Sequence, residues 1–270
     1  MADWLIVSKI FVSISIVVGL SLVAEHVSPR AAGILAGYPL GAAISLFFIG
    51  VENGKVFAAQ GAVYTLGGLS ASLVFVYFYF KISSTIRRFE LLFSSAAAIA
   101  GFLVAAKVLS LLNLNLTNAF FITFCSICFF YSRFKNIPNV LVKKRIRLTL
   151  FMLFARAVAA AGIILIVTGI AKWVGPNWSG ILSAFPITLF PLILLVHVSY
   201  GKDQVHTIIK NFPLGLGALI VYVIIVKFGY PIVGIAWGTG LAFLSATLYL
   251  VGFSVVSGRL AKKKSAAQFS

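Results

Sequence analysis

Two basic side chains, Lys9 and Arg156, interrupt otherwise apolar sequence, and when the chain is compared with itself they occupy equivalent positions. A cation at membrane depth faces a bundle interior or a polar path and pairs with something negative. None of the five acids, Asp3, Glu25, Glu52, Glu90 and Asp203, lies deep in an apolar run. The sequence therefore predicts that the missing anion is a ligand. The competing expectation is that both side chains reach the head groups from their depth. Lys107, whose equivalent is Ser254, is expected to do the latter.

Downstream of each cation a short pattern recurs. Gly33-Ile34-Leu35 leads to Pro39, and Gly180-Ile181-Leu182 leads to Pro186. Proline removes a backbone donor and clashes with the preceding turn. Pro39 is thus expected to free the carbonyl of Leu35, Pro186 that of Leu182, and Pro191 that of Ile187. In hydrocarbon such backbone must face protein or a watery cavity. The candidate binding set is Lys9, Arg156, Pro39, Pro186, Gly33 and Gly180, with Lys107 at its edge.

Other chemistry finds no constellation. There are no paired carboxylates, no metal-ligand cluster and no nucleophile with a base at membrane depth. The expectation is a protein that is not an enzyme, with no catalytic residues, no metal and no cofactor. Cys125 and Cys128 form a C-S-I-C inside an apolar run and are expected to be buried packing residues. His197 can carry protons but, as a lone histidine, is expected to be interfacial. His26 and His206 lie near loops. Trp4, Trp173, Trp178 and Trp237 read as interfacial anchors. The aromatics of VFVYFYF (74–80) are expected to be lipid-facing, and RAVAAAG (156–162) to admit a close neighbouring helix.

These residues need elements to hold them. Of 270 residues, 61% are hydrophobic and 10% charged, far below the roughly 25% charged of soluble domains. The mean hydropathy is +1.09. The sequence therefore predicts an all-α polytopic membrane protein. Apolar runs of about 20 residues give nine transmembrane helices, at 4–24, 31–50, 57–80, 91–110, 116–132, 149–172, 179–199, 207–228 and 231–256. The first is read as a spanning helix rather than a cleaved leader, because it aligns with the internal sixth.

The net charge of +17 is assigned to topology and to anionic head groups of membrane lipids, not to nucleic acid. Cations gather near 81–90, in 133–148, at Lys202 and Lys210, and in the tail at Arg259 and 262–264. With nine spans these regions share one side. The expected placement is the inner, plasma membrane, with the N-terminus outside and the C-terminus cytoplasmic.

At a constant offset of 147 residues, Pro29 falls on Pro176, Pro39 on Pro186 and Gly54-Lys55 on Gly201-Lys202. Five spans separate the starts of the two copies, which must therefore be inverted. The predicted organisation is an inverted 4+1+4 repeat: 1–110 as the first four-helix repeat, 111–148 as a connecting helix with a basic loop, 149–258 as the second repeat, and 259–270 as a basic tail. Inverted repeats characterise secondary transporters, with substrate sites where the repeats meet.

The segments GILAGYP (33–39) and GILSAFP (180–186), each after a membrane-embedded Lys9 or Arg156, resemble the small GlpM-type four-helix membrane proteins. The duplicated four-helix plan is similar to the drug/metabolite transporter superfamily. The chain departs from its multidrug members in lacking a first-helix glutamate, and from its ten-helix members in having nine spans. The resemblance implies fold more than activity. The function expected is a secondary transporter or flippase for an anionic substrate, lipid-linked or free. The alternatives are a non-transporting scaffold of an envelope-assembly complex or an exporter of a neutral small molecule.

Overall fold

The computed structural model describes residues 2–25, 29–139 and 150–267. The cations of 143–147, the side chain of Arg156 and the side chains of the basic tail lie outside the described residues. Those residues form an all-helical bundle: α1 (Ala2–Glu25), α2 (Pro29–Ala36), α3 (Leu40–Asn53), α4 (Lys55–Thr85), α5 (Glu90–Ser110), α6 (Leu116–Phe134), α7 (Leu150–Ser183), α8 (Leu189–Tyr200) and α9 (Lys202–Ala267). Within the described residues, five helical segments are long and apolar enough to cross a membrane. This is compatible with a multi-pass membrane protein.

Two of the long helices bend back on themselves. At about 1.5 Å per residue, a continuous α9 of 66 residues would far exceed a bilayer about 30 Å thick. It is broken at Gly234 (φ 83°, ψ 173°), and the Tyr230 hydroxyl lies 2.8 Å from Thr239 Oγ1 across that residue. The backbones of Gly229 and Gly238 approach closely, so the chain reverses here. The expected boundary at 229–230 thus falls four residues late, because Pro231 is absorbed and the turn waits for a glycine. This backbone region is essentially confined to glycine. Gly54 (φ 94°) and Gly201 (φ 86°), one repeat offset apart, make the same single-residue break between α3 and α4 and between α8 and α9. Gly175 breaks α7 in the same way, and Pro176 follows it at the first helical position, where a missing N–H costs nothing.

Helix α4 is the centre of the bundle, buried along most of its length from Ala58 to Tyr79. Phe75, Val76 and Tyr79 are fully buried, so the aromatics of 74–80 are core rather than lipid-facing, with Phe78 the exposed exception. Phe75 meets Phe185 and Phe190 edge-on. Cys125 and Cys128 point the other way and are exposed on α6, which corrects the expectation of buried cysteines. Ala157 and Ala160, from the small-residue run, are buried in a cluster that Val12 of α1 packs against.

Two crossings fix the middle of the bundle. A methyl at Gly33 would overlap the Ile208 carbonyl oxygen, and one at Gly180 would overlap that of Gly61. A methyl at Gly215 would overlap the Ile34 oxygen, and one at Gly68 would crowd Ile181 and Ala184. Residues 33 and 180, 61 and 208, 34 and 181, and 68 and 215 are all related by the same offset. Each half thus lends its short helix to the long helix of the other. Without a hydrophobic force between helices in lipid, such backbone approach is a main source of attraction.

Gly180→Ala and Gly215→Ala are therefore expected to destabilise the protein by about 1–3 kcal/mol each, measured as thermal unfolding in detergent. Gly240→Ala, with open space around it, is the control expected to leave the midpoint unchanged.

Candidate functional site

Both proline-bearing segments break their helices, and they break them alike. At the first, Gly37 N–H donates to Ile34 O (3.1 Å), Tyr38 N–H to Leu35 O (3.0 Å), Leu40 N–H to Tyr38 O (2.8 Å) and Ala43 N–H to Pro39 O (2.7 Å). At the second, Ala184 donates to Ile181 O (3.0 Å), Phe185 to Leu182 O (3.0 Å), Ile187 to Phe185 O (2.7 Å) and Phe190 to Pro186 O (2.8 Å). Every bond has its counterpart one offset away.

The pattern revises which carbonyls the prolines free. Those of Leu35 and Leu182 are taken by tightened bonds from the residue before each proline. Pro191 stands in the first turn of α8, where N–H groups have no intrahelical partner anyway. The bond displaced by the tightening in the second break is the one to Gly180 O, because Ala184 N–H now meets Ile181 O. In the second break the orphaned oxygens are met by α4: Thr65 Oγ1 donates to Gly180 O at 2.9 Å, and Ser72 Oγ donates to Ala184 O. The positions equivalent to Thr65 and Ser72 are Phe212 and Leu219, which have no hydroxyl. The two breaks share a backbone but not its bracing.

Between the breaks lies a cavity of about 20 Å³, room for one water. Its wall is built from equivalent positions: Ala36 with Ser183, Tyr38 with Phe185, Gly41 with Thr188, Leu69 with Leu216, and Ser72 with Leu219. Pro186 lines it, and Pro39 is buried beside its neighbours Tyr38 and Gly41. The first turn of α3 contributes Gly41 and Ala42, and Thr188 precedes α8. Among the described residues, no charged side chain lines this cavity. The Tyr38 hydroxyl is held 2.7 Å from Thr247 Oγ1, whereas Phe185 sits edge-on among Phe75, Phe102 and Phe190.

The cations are elsewhere. Lys9 is buried (3% exposed), but its Nζ lies 2.6 Å from Glu52 Oε1 and 5.9 Å from the centre of the Phe48 ring. This overturns the expectation that the protein offers Lys9 no carboxylate. The reason is that α3 packs against α1, which sets Glu52, in the last turn of α3, beside Lys9. Glu52 stands twelve residues beyond Leu40, about 18 Å along the helix, so this pair is remote from the cavity. Lys107 is exposed, with its Nζ 5.9 Å from the Trp178 ring centre. Gly33 and Gly180 serve the helix crossings.

A second polar group was not legible in sequence. Glu90, at the start of α5, lies 3.1 Å from His197 Nε2 and 3.6 Å from Lys202 Nζ. Tyr79 Oη lies 2.8 Å from His197 Nδ1, and Ser83 Oγ lies 2.8 Å from His206 Nε2. His197 is thus neither alone nor simply interfacial. Its partners are more than a hundred residues away in sequence, and no spacing rule joins them.

Comparison with protein-family models, with curated proteins and with solved structures finds no match.

Replacing Lys9 by Met or Glu52 by Gln alone leaves one charge without its partner. Each single variant is expected to lose stability, and the double-variant cycle to give a coupling of about 0.5–3 kcal/mol, read from unfolding in detergent. Additive effects would show that the pair is not an energetic unit.

Proposed function

We propose that the chain is a multi-pass membrane transporter in which two inverted repeats alternate about the site where their broken helices meet. The observation that carries this reading is the cavity itself, walled by equivalent residues of the two halves and flanked by two breaks with one hydrogen-bond pattern. Discontinuous helices meeting at a repeat interface are the usual site architecture of secondary transporters. Taking the turns at Gly175 and Gly234 as span ends, and each broken helix as one span, gives the nine-span, 4+1+4 plan. Its basic connections then lie on the cytoplasmic side of the inner membrane, with the N-terminus outside.

The substrate class follows less from Lys9 than from the backbone. The opening turns of α3 and α8 present the positive ends of helices to the cavity, which suits the head group of an anionic, lipid-linked substrate. Lys9, paired with Glu52, then belongs to one end of the bundle rather than to the head-group site. A second reading, export of a neutral small molecule, is favoured by the uncharged wall.

Native mass spectrometry of the purified protein is expected to show a bound anionic lipid-linked molecule, with occupancy reduced about tenfold or more in Ser183→Leu, which fills the cavity. A bound neutral molecule lost in the same variant would select the second reading. Bound material indifferent to Ser183→Leu would remove the cavity from the site.

A further inference from the structure

We propose that Glu90 and His197 form a proton-binding site that controls the opening of one end of the bundle. The inference rests on the transporter reading only for its purpose. The site itself stands on geometry.

Four elements converge there. Tyr79 and Ser83 come from α4, Glu90 from α5, His197 from α8, and Lys202 and His206 from α9. Lys202 Nζ also donates to Ser83 O at 3.2 Å. Lys81, Arg87, Arg88 and Asp203 are exposed around the group. The side chains of Glu90 and His197 are 19% and 10% exposed, so water at this end reaches them while the bundle covers most of each. Glu90 Oε1 is buried and has no aligned hydrogen bond, with His197 Nε2 its close neighbour. A proton arriving from water can therefore reside on the imidazole or on the carboxyl, the heavy atoms already being within reach. Tyr79 accommodates either state, because its hydroxyl donates to Nδ1 of a neutral ring and accepts from a protonated one.

The charge count gives the direction. With His197 neutral, the Glu90 carboxylate is balanced by Lys202. A first proton leaves the trio net positive. A second, on Glu90, removes the attraction and sets His197 and Lys202 face to face as like charges, only a few ångströms from the carboxyl that held them. Coulomb repulsion at that range in a partly desolvated site is substantial. Acidification therefore detaches α5 from the ends of α8 and α9.

The connection to the cavity is short. Helix α8 starts at the second break and carries His197 in its last turn. Along α4, Ser72, which lines the cavity and bonds to Ala184, precedes Tyr79 by two turns, about 10 Å. Opening this end would move the helix that one lip of the cavity begins.

The test uses the full-length protein in nanodiscs with Cys125 and Cys128 changed to Ser, and the proton as the only ligand. Spin labels at the exposed positions Phe89 and Asp203 are expected to stay close as the first proton goes on, and to move apart by several ångströms only when the pH is taken low enough for the second, below about pH 4. Glu90→Gln is expected to be wide and unresponsive to pH. His197→Gln, which keeps the Glu90–Lys202 pair, is expected to stay narrow through mild acid.

A distance indifferent to pH in the unmodified cluster, or a distance that still responds to pH in Glu90→Gln, would overturn the proposal. A second label pair at Val56 and Ile232, at the opposite end, separates it from the transporter reading. Widening at the first end with no narrowing at the second keeps the proton site and contradicts alternating access.

Discussion

A backbone that leaves helical geometry inside hydrocarbon must find partners for its polar groups, and the core of this protein is arranged around two places where that happens. Each break spends its proline on a tightened turn, so the carbonyls directly opposed to proline are satisfied locally. What remain at the second break are the oxygens two residues to either side of Leu182, those of Gly180 and Ala184, and α4 meets them with the hydroxyls of Thr65 and Ser72. Such donors reach only because glycines let the crossing helices touch backbone to backbone. Packing and hydrogen bonding are therefore one requirement here: filling the Gly61–Gly180 approach would also pull Thr65 from Gly180.

The unequal bracing of two equal backbones gives the molecule a direction. Phe212 and Leu219 stand where Thr65 and Ser72 stand in the other half, and Tyr38 reaches Thr247 where Phe185 lies among phenyl rings. A repeat that kept its fold and lost its chemical symmetry has one firm wall and one less tethered wall around a shared cavity.

The helical, membrane-compatible character was legible because composition and apolar run length report it directly. The equivalence of residues 28–55 and 175–202 was legible too, since proline and glycine have few other uses inside apolar helices. The places where helices reverse were less so: Gly54, Gly175, Gly201 and Gly234 act through a backbone conformation that no hydropathy profile contains. The polar pairings were the least legible. Lys9 was visible as a buried cation, but Glu52 looked peripheral, and only the packing of α3 against α1 brings the two together. Glu90, His197 and Tyr79 meet only in three dimensions. Likewise, VFVYFYF has the look of a lipid-facing surface, and only the central position of α4 makes it core.

The central claim is that the cavity between the two breaks is reached from each side of the membrane in turn. The most direct measurement places a single cysteine at Ser183, with Cys125 and Cys128 changed to Ser, and applies a membrane-impermeant thiol reagent to right-side-out and inverted vesicles. The account predicts labelling from both sides, at rates that trade off as conditions change. Labelling from neither side, or from one side under every condition, would contradict it.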